Sequence, residues 1–412
     1  MRHSKILKIG LILIGSVLLV VLLYQVPAVH SHLAWRLDLA EVYARGIIYP
    51  ANDMPTPIPV TPDPLGTVTP TPVQPTATLA ATHAPTATPE PTPTLPPNVS
   101  FPSPAYEKQE MNNCGPATLT MYLRMYSWKG TQKDIASQVK PIPDDRNVNV
   151  DELVNYVNTN VTYLHMIYRV GGTVDLLKRF LANGFPVMIE ESMMMDETYW
   201  PNDDRWAGHY LLLTGYDDSK QSFISQDAFY GSDRDISYQQ LNQNWQSFNR
   251  VYLLVYVPEQ EDAVKNIIGA DWDEDTSRQH ALDAAQAETK SDPSNPFAWF
   301  NLGTNQVYFE RYAEAAQSYD KARENEMPQR MLRYQFGPFI AYFNSGRLDD
   351  LQAIVEYALK RTPNSEETLL WQGWLLYRKG DTEGARASFQ KALEVHPDYP
   401  DALYAINFLN GN

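Results

Sequence analysis

The stretch from Gln109 to Met125, QEMNNCGPATLTMYLRM, contains Cys114, the one cysteine among 412 residues. Proline is preorganised for the first helical turn, where its missing N–H costs nothing, so Gly115-Pro116-Ala117 predicts a helix beginning at the cysteine. Leu119, Met121, Tyr122 and Met125 follow at helical spacing and supply an apolar stripe. Cys114 is therefore expected at the N-terminus of a buried helix. There, unpaired N–H groups and the positive end of the macrodipole favour thiolate over thiol. Gln109 stands just upstream, where its amide can face an oxyanion forming beside the sulfur. A free cysteine is often only a small buried hydrophobe, and the nucleophile reading requires a histidine to pair with it.

His209 has the right surroundings. It opens the apolar run Tyr210-Leu211-Leu212-Leu213 within Gly208–Gly215, so it lies at the mouth of a predicted strand, where an imidazole can reach the sulfur. A third group, a side-chain oxygen, is needed to fix the imidazole tautomer. Asp227 ends the next predicted strand, Ser222–Gln226, and falls at the same sheet end if the two strands form a hairpin. Asp217 and Asp218 are rivals, but they lie beyond the far end of the His209 strand in a Gly-Tyr-Asp-Asp sequence that reads as a hairpin turn. The Met-, Trp- and Asp-rich insertion 193–206, which precedes His209, reads equally well as a lid and as a surface loop. No Cys/His cluster suits zinc and no glycine-rich loop suits a phosphate, so the chemistry needs no metal or cofactor.

Around these residues the chain divides by composition. A net charge of −16 and a pI near 4.9, with no basic stripe, argue against a nucleic-acid partner. Arg2, His3, Lys5 and Lys8 precede an apolar run from Ile9 to Tyr24. Counted from Ile6 to Val26, it makes a helix of roughly 31 Å, long enough to cross a bilayer. The basic flank puts the N-terminus in the cytoplasm and the remainder outside. Residues 1–27 are thus expected to be an uncleaved transmembrane anchor; a cleaved signal peptide is the rival reading. With one cysteine, an exported chain forms no internal disulfide.

Residues 28–54 follow as a juxtamembrane segment, helical over 32–48. Residues 55–99, dominated by Pro and Thr, are expected to be a disordered, polyproline-like linker of roughly 130 Å when extended. Residues 100–260 read as one globular domain. Helices are predicted over 132–138, 150–157 and 173–182, and strands over 161–168, 186–190, 208–215, 222–226 and 251–257. Helices first and antiparallel strands after is an α+β order. From 261 to 412 the chain becomes helical and repetitive, with Pro293, Pro328, Pro363 and Pro397 marking the period.

Two resemblances follow from these motifs. Gln109-x4-Cys114-Gly115-Pro116, Gly208-His209-Tyr210 and Asp227 resemble the papain-like bacteriocin-processing (double-glycine leader) peptidase family. The likeness runs from roughly Pro102 to Pro258 and is greatest to the stand-alone relatives that lack a transporter. It implies a papain-like cysteine peptidase domain with Cys114 as nucleophile, His209 as base, Asp227 as orienting acid and Gln109 as oxyanion donor. Ala228 stands where that family often has proline. The Gln109–Cys114 spacing is one residue shorter than in papain-like enzymes generally. No transporter domains follow, so leader processing is not implied. In the C-terminal part, Trp299, Gly303, Tyr312, Ala315, Tyr319 and Ala322 are matched by Gly373, Gly380, Ala385, Phe389 and Ala392. This resembles the tetratricopeptide repeat, with a weaker middle repeat over 332–363 and capping helices at 277–290 and 400–409.

The expectation is a membrane-anchored, extracytoplasmic, single-pass cysteine peptidase acting on a peptide or protein, with repeats that bind a protein substrate or partner. Two alternatives remain: an inactive peptidase-like domain on a binding scaffold, and a cysteine amidase acting on cell-wall peptides. The repeats contain no nucleophile or base, so they are expected to hold substrate without contributing to the chemical step.

Overall fold

The computed structural model describes residues 95–140, 148–198 and 204–411, short pieces at 43–48 and 54–59, and a few isolated positions nearer the N-terminus. Nearly all of the expected anchor, and the linker interior, 60–94, lie outside them. Among the described residues no helix is long and apolar enough to cross a membrane. Residues 43–48 are helical.

The first domain is built on an antiparallel sheet of seven strands. They are β1 (Asn98–Ser100), β2 (His165–Arg169), β3 (Val187–Met194), β4 (Trp206–Asp217), β5 (Ser222–Asp227), β6 (Gly231–Ser237) and β7 (Tyr252–Tyr256). Their order is β2-β7-β3-β4-β5-β6, with β1 also paired to β4. Alternation along each strand sends side chains to opposite faces. Met188, Leu212, Leu253 and Val255 meet the helices α1 (Cys114–Arg124), α2 (Gln132–Val139) and α3 (Val150–Asn160). Their sequence neighbours Val187, Ile189, Leu211, Leu213 and Leu254 meet α4 (Val174–Ala182), α5 (Tyr238–Gln246) and α6 (Glu261–Ile268). Both faces are covered, which is why the central strands read as continuous apolar runs rather than as alternating ones.

Some boundaries differ from expectation. The strand expected from Val161 begins only at His165, because α3, held at its start by the Asn149/Glu152 capping box, continues to Asn160. β1, β6 and α5 carry no sequence signal strong enough to predict them. Most of β6 is exposed Ser, Asp and Arg on an edge strand, so it shows no apolar period. The insertion before His209 is neither lid nor simple loop at its ends. Met193 pairs with Ala207 and Met194 with Trp206, so both extend the β3–β4 hairpin, while residues 199–203 lie outside the described set.

The linker is ordered at both ends. Its last residues join the sheet: the Pro96 carbonyl accepts from Tyr216 Oη at 2.6 Å, and Asn98 to Ser100 pair with β4. Its first residues lie on the repeats, within the described piece 54–59. Segments rich in Pro and Thr lack a core of their own, and here folded neighbours supply the partners.

The C-terminal part is helical throughout: α7 (Glu274–Ser291), α8 (Pro296–Tyr308), α9 (Tyr312–Glu324), α10 (Met331–Tyr334), α11 (Gly337–Asn344), α12 (Leu348–Arg361), α13 (Glu366–Arg378), α14 (Thr382–Val395) and α15 (Pro400–Leu409). In the middle repeat the first helix is broken into α10 and α11. Pro338 has no N–H for the carbonyl four residues back, and Gln335 is extended. The repeats are packed against the first domain and share a core with it: Val170, Trp206, Phe248 and Val251 cluster with Phe300, Tyr319, Met331 and Leu332.

Candidate active site

Cys114 is the first residue of α1 and is partly buried. The helix is pinned at this place from several sides. A Cβ added at Gly115 would stand 3.2 Å from the Tyr210 ring, so glycine lets α1 approach β4 closely. Thr118 Oγ1 donates to the Tyr210 carbonyl, and Tyr122 Oη accepts the Val255 N–H at 2.9 Å.

His209 is 2 % exposed on β4, and its Nε2 lies 2.9 Å from Asp227 Oδ1. The β4–β5 register sets Asp227 opposite Leu211, which brings the carboxylate to the imidazole. Asp227 Oδ1 also accepts the N–H groups of Phe229 and Tyr230 at 2.8 and 3.0 Å. With Nε2 committed to the carboxylate, the other ring nitrogen is left for the sulfur of Cys114, with which the imidazole interacts electrostatically.

The electrostatics follow from these contacts. Burial alone would push the Cys114 thiol up, but the hydrogen bond and charge of His209, with backbone hydrogen bonds at Tyr210 and Gly115, bring it below its ordinary value. Burial would likewise lower His209, and its bonds to Asp227 and Cys114 outweigh that and raise it. Burial would raise Asp227, yet the His209 bond and charge and the two N–H donors hold it below the usual carboxylate range. The pair therefore favours thiolate and imidazolium.

Gln109 joins the site through its main chain: its N–H donates to the Ala228 carbonyl at 2.9 Å, beside Asp227. Its Oε1 is buried without a partner, an arrangement costing about 1–3 kcal/mol unless a ligand supplies a donor. The rivals Asp217 and Asp218 stay at the opposite end of β4. Asp217 bonds Ser219, and Asp218 bonds Lys178 and Tyr238.

Two acidic residues beside the site had no role in the sequence reading. Glu190 and Glu191 end the apolar run of β3, paired with Tyr210 and His209 respectively. Burial, and after it the charge of Cys114, push the Glu190 carboxyl well up. Burial pushes Glu191 up to about 8 against the pull of His209 and Asn244. Two consecutive charges on a strand with both faces covered were the available signal, since one of them must be buried on either face. Across the domain boundary, Arg333 of α10 donates to Asn112 Oδ1 at 3.1 Å, two residues before the cysteine. No local pattern in the sequence points to that contact.

A sulfur at a helix N-terminus, with an imidazole that a carboxylate orients from the next strand, is the arrangement of a cysteine peptidase. Residues 102–253 match the model of the Peptidase_C39 like family, and residues 366–399 match that of the tetratricopeptide repeat. The chain thus carries a C39-like cysteine peptidase-type domain followed by tetratricopeptide repeats. Among solved structures it is similar to a C39-like peptidase from Bacillus anthracis, at 14% identity over 39% of this chain and 97% of that one, with a TM-score of 0.31. It is similar to xylellain, a cysteine protease from Xylella fastidiosa, at 13% identity over 40% and 87%, with a TM-score of 0.31. The repeats are similar to a thermophilic TPR protein from Thermus thermophilus, at 19% identity over 32% and 73%, with a TM-score of 0.27. No curated protein matches the chain.

Proposed function

We propose that the chain is a cysteine peptidase that hydrolyses peptide bonds through Cys114 and His209. The observation that carries this is the single buried imidazole held by Asp227 at 2.9 Å, with its other ring nitrogen left for the Cys114 sulfur at the start of α1. The thiolate attacks the scissile carbonyl, and the imidazolium gives its proton to the leaving nitrogen. Neutral His209 then takes a proton from the water that hydrolyses the thioester. Asp227 holds the ring, and the Gln109 amide faces the oxyanion. The exposed side chains of Tyr106, Met111, Phe229 and Tyr230 flank Gln109, Cys114 and Asp227 in sequence and suit a peptide with apolar side chains. The repeats bind a protein substrate or partner.

In the test, purified protein is given a library of fluorogenic peptides, and Cys114 is alkylated across pH. Turnover is expected in the natural protein and not in Cys114→Ala. Alkylation should be fast well below the ordinary cysteine value of about 8.5 and slower in His209→Ala. A protein that turns over nothing, with a thiol that titrates as a free one in both forms, would instead be a binding scaffold. Turnover of cell-wall-type amides alone would make it an amidase.

The chain is further proposed to be held at the cell membrane by its first 27 residues, with both folded domains on the extracytoplasmic side. Arg2, Lys5 and Lys8 ahead of the apolar run Ile9–Tyr24 support this. Release of the full-length protein from membranes by carbonate would count against it.

A further inference from the structure

The segment 54–59, Met-Pro-Thr-Pro-Ile-Pro, belongs to what reads as a featureless linker, yet it makes directed contacts with the repeats almost three hundred residues away. The Pro55 carbonyl accepts from Arg323 Nε at 3.1 Å and from its Nη2. The Ile58 N–H donates to Asp350 Oδ1 at 3.1 Å. Met54 packs on the core cluster shared by the repeats and the peptidase domain.

The receiving groups are held as a pair by other residues of the repeats. Arg323 lies in α9 and Asp350 in α12; both are buried, and Arg323 Nη1 is 3.0 Å from Asp350 Oδ1. Arg347 holds the other carboxylate oxygen, Oδ2, at 2.7 Å, and Tyr342 Oη accepts from Arg323 at 2.9 Å. One guanidinium and one carboxylate are thus held side by side, offering a donor and an acceptor to a backbone that passes over them.

That spacing selects a chemical class of ligand. An extended chain with proline at alternate positions presents few N–H groups, and its carbonyls stay unpaired internally. Of residues 54–59 only Met54, Thr56 and Ile58 carry an N–H, and one of these, that of Ile58, is taken by Asp350. A polyproline-like strand is also stiff when free, so little conformational entropy is lost on docking.

We propose that the Arg323–Asp350 site between α9 and α12 is a binding site for extended, proline-alternating peptide, and that the chain's own residues 54–59 occupy it. The segment is covalently continuous with residues 95–100, which are docked on the peptidase domain. The segment acts as a built-in competitor for any external peptide of the same chemistry. Covalent attachment to the same chain gives an effective concentration on the order of millimolar. For a peptide of ~10 µM intrinsic Kd, the resident segment therefore weakens apparent binding about 100-fold.

The test uses the full-length protein and a full-length variant in which residues 54–59 are replaced by Gly and Ser at equal length. A fluorescent peptide of residues 52–61 is titrated into each, with binding read by anisotropy. The replaced variant should bind it and the natural protein should bind it about 100-fold more weakly. An Ile58→Pro peptide, which lacks the N–H that Asp350 accepts, should lose at least about tenfold. An Ile58→Ala peptide, which keeps it, should lose clearly less than the Pro peptide, because the Ile58 residue is 45% exposed. The Pro and Ala changes lie in the peptide and leave the protein's own folding untouched. No binding to the replaced variant, equal binding to both proteins, or equal affinity of the Pro and Ala peptides would each overturn the proposal.

Discussion

At the scale of single residues, the site is a set of buried ionisable groups whose charges are fixed by contact. Glu191 shows the consequence most clearly. It is 4 % exposed, faces His209 across the sheet, and has an Oε2 without a partner. Burial raises its carboxyl from 4.5 to about 8, so between those values the folded protein keeps a proton that the unfolded chain releases. Its contribution to stability is complete below the lower value and is lost as pH rises to the upper one. Glu191→Gln carries the neutral shape at every pH. Between pH 5 and pH 8 the Tm of the natural protein should therefore fall further than that of the variant. The difference should be at least about 2–4 °C, which is what ~1 kcal/mol produces in a chain of a few hundred residues. Parallel curves would show that Glu191 ionises as freely folded as unfolded.

At the scale of elements, the repeats are governed by small residues facing large ones. A Cβ added at Gly303 of α8 would meet the Tyr319 ring at 2.9 Å, and one at Gly373 of α13 would meet the Phe389 ring at 2.3 Å. Tyr319 and Phe389 occupy matching places on α9 and α14 and are fully buried, so neither ring can swing into solvent. Gly373→Ala should therefore destabilise the protein by about 1–3 kcal/mol, the cost of overpacking, despite alanine's better helix propensity. A thermal melt unchanged or raised by the substitution would mean that the helix pair relaxes without loss. The same period was legible in the sequence because the repeat forces equal residue types into equal contacts. The break in the first helix of the middle repeat falls at 335–336, just ahead of Pro338.

At the scale of the molecule, the two domains do not divide the work as cleanly as the sequence suggests. Trp206 is stacked on Phe248 at 5.8 Å and on Phe297 at 6.5 Å, with Tyr334 edge-on at 5.9 Å. Phe248 belongs to the peptidase domain, while Phe297 and Tyr334 belong to the repeats. Arg330 donates to the Trp206 carbonyl, and the Asn249 and Asn305 amides bond each other across the boundary. These contacts, Arg333 on Asn112 included, join the repeats to the peptidase domain through a shared core. Deleting the repeats would strip one face from a shared core, so the truncated peptidase domain should aggregate or lose activity even on a small peptide. Trp206→Ala in the full-length chain should cost about 3–5 kcal/mol. It should also split one cooperative melt into two transitions in calorimetry. A truncation that stays monomeric with natural turnover would show that the interface is only a docking contact.

The sequence by itself determined what repeats locally or is chemically rare. The lone cysteine ahead of Gly115-Pro116, the apolar strands, and the proline-marked helical period are each readable because a few neighbouring residues decide them. The tertiary structure alone decided what depends on partners distant along the chain. Register placed Asp227 rather than Asp217 on His209, and two covered sheet faces buried Glu190 and Glu191. Packing of the repeats on the peptidase domain enclosed Trp206 and brought Arg333 to Asn112. Residues 54–59, which have no apolar period, became ordered because Arg323 and Asp350 supply the hydrogen-bond partners that a proline-rich segment cannot find within itself.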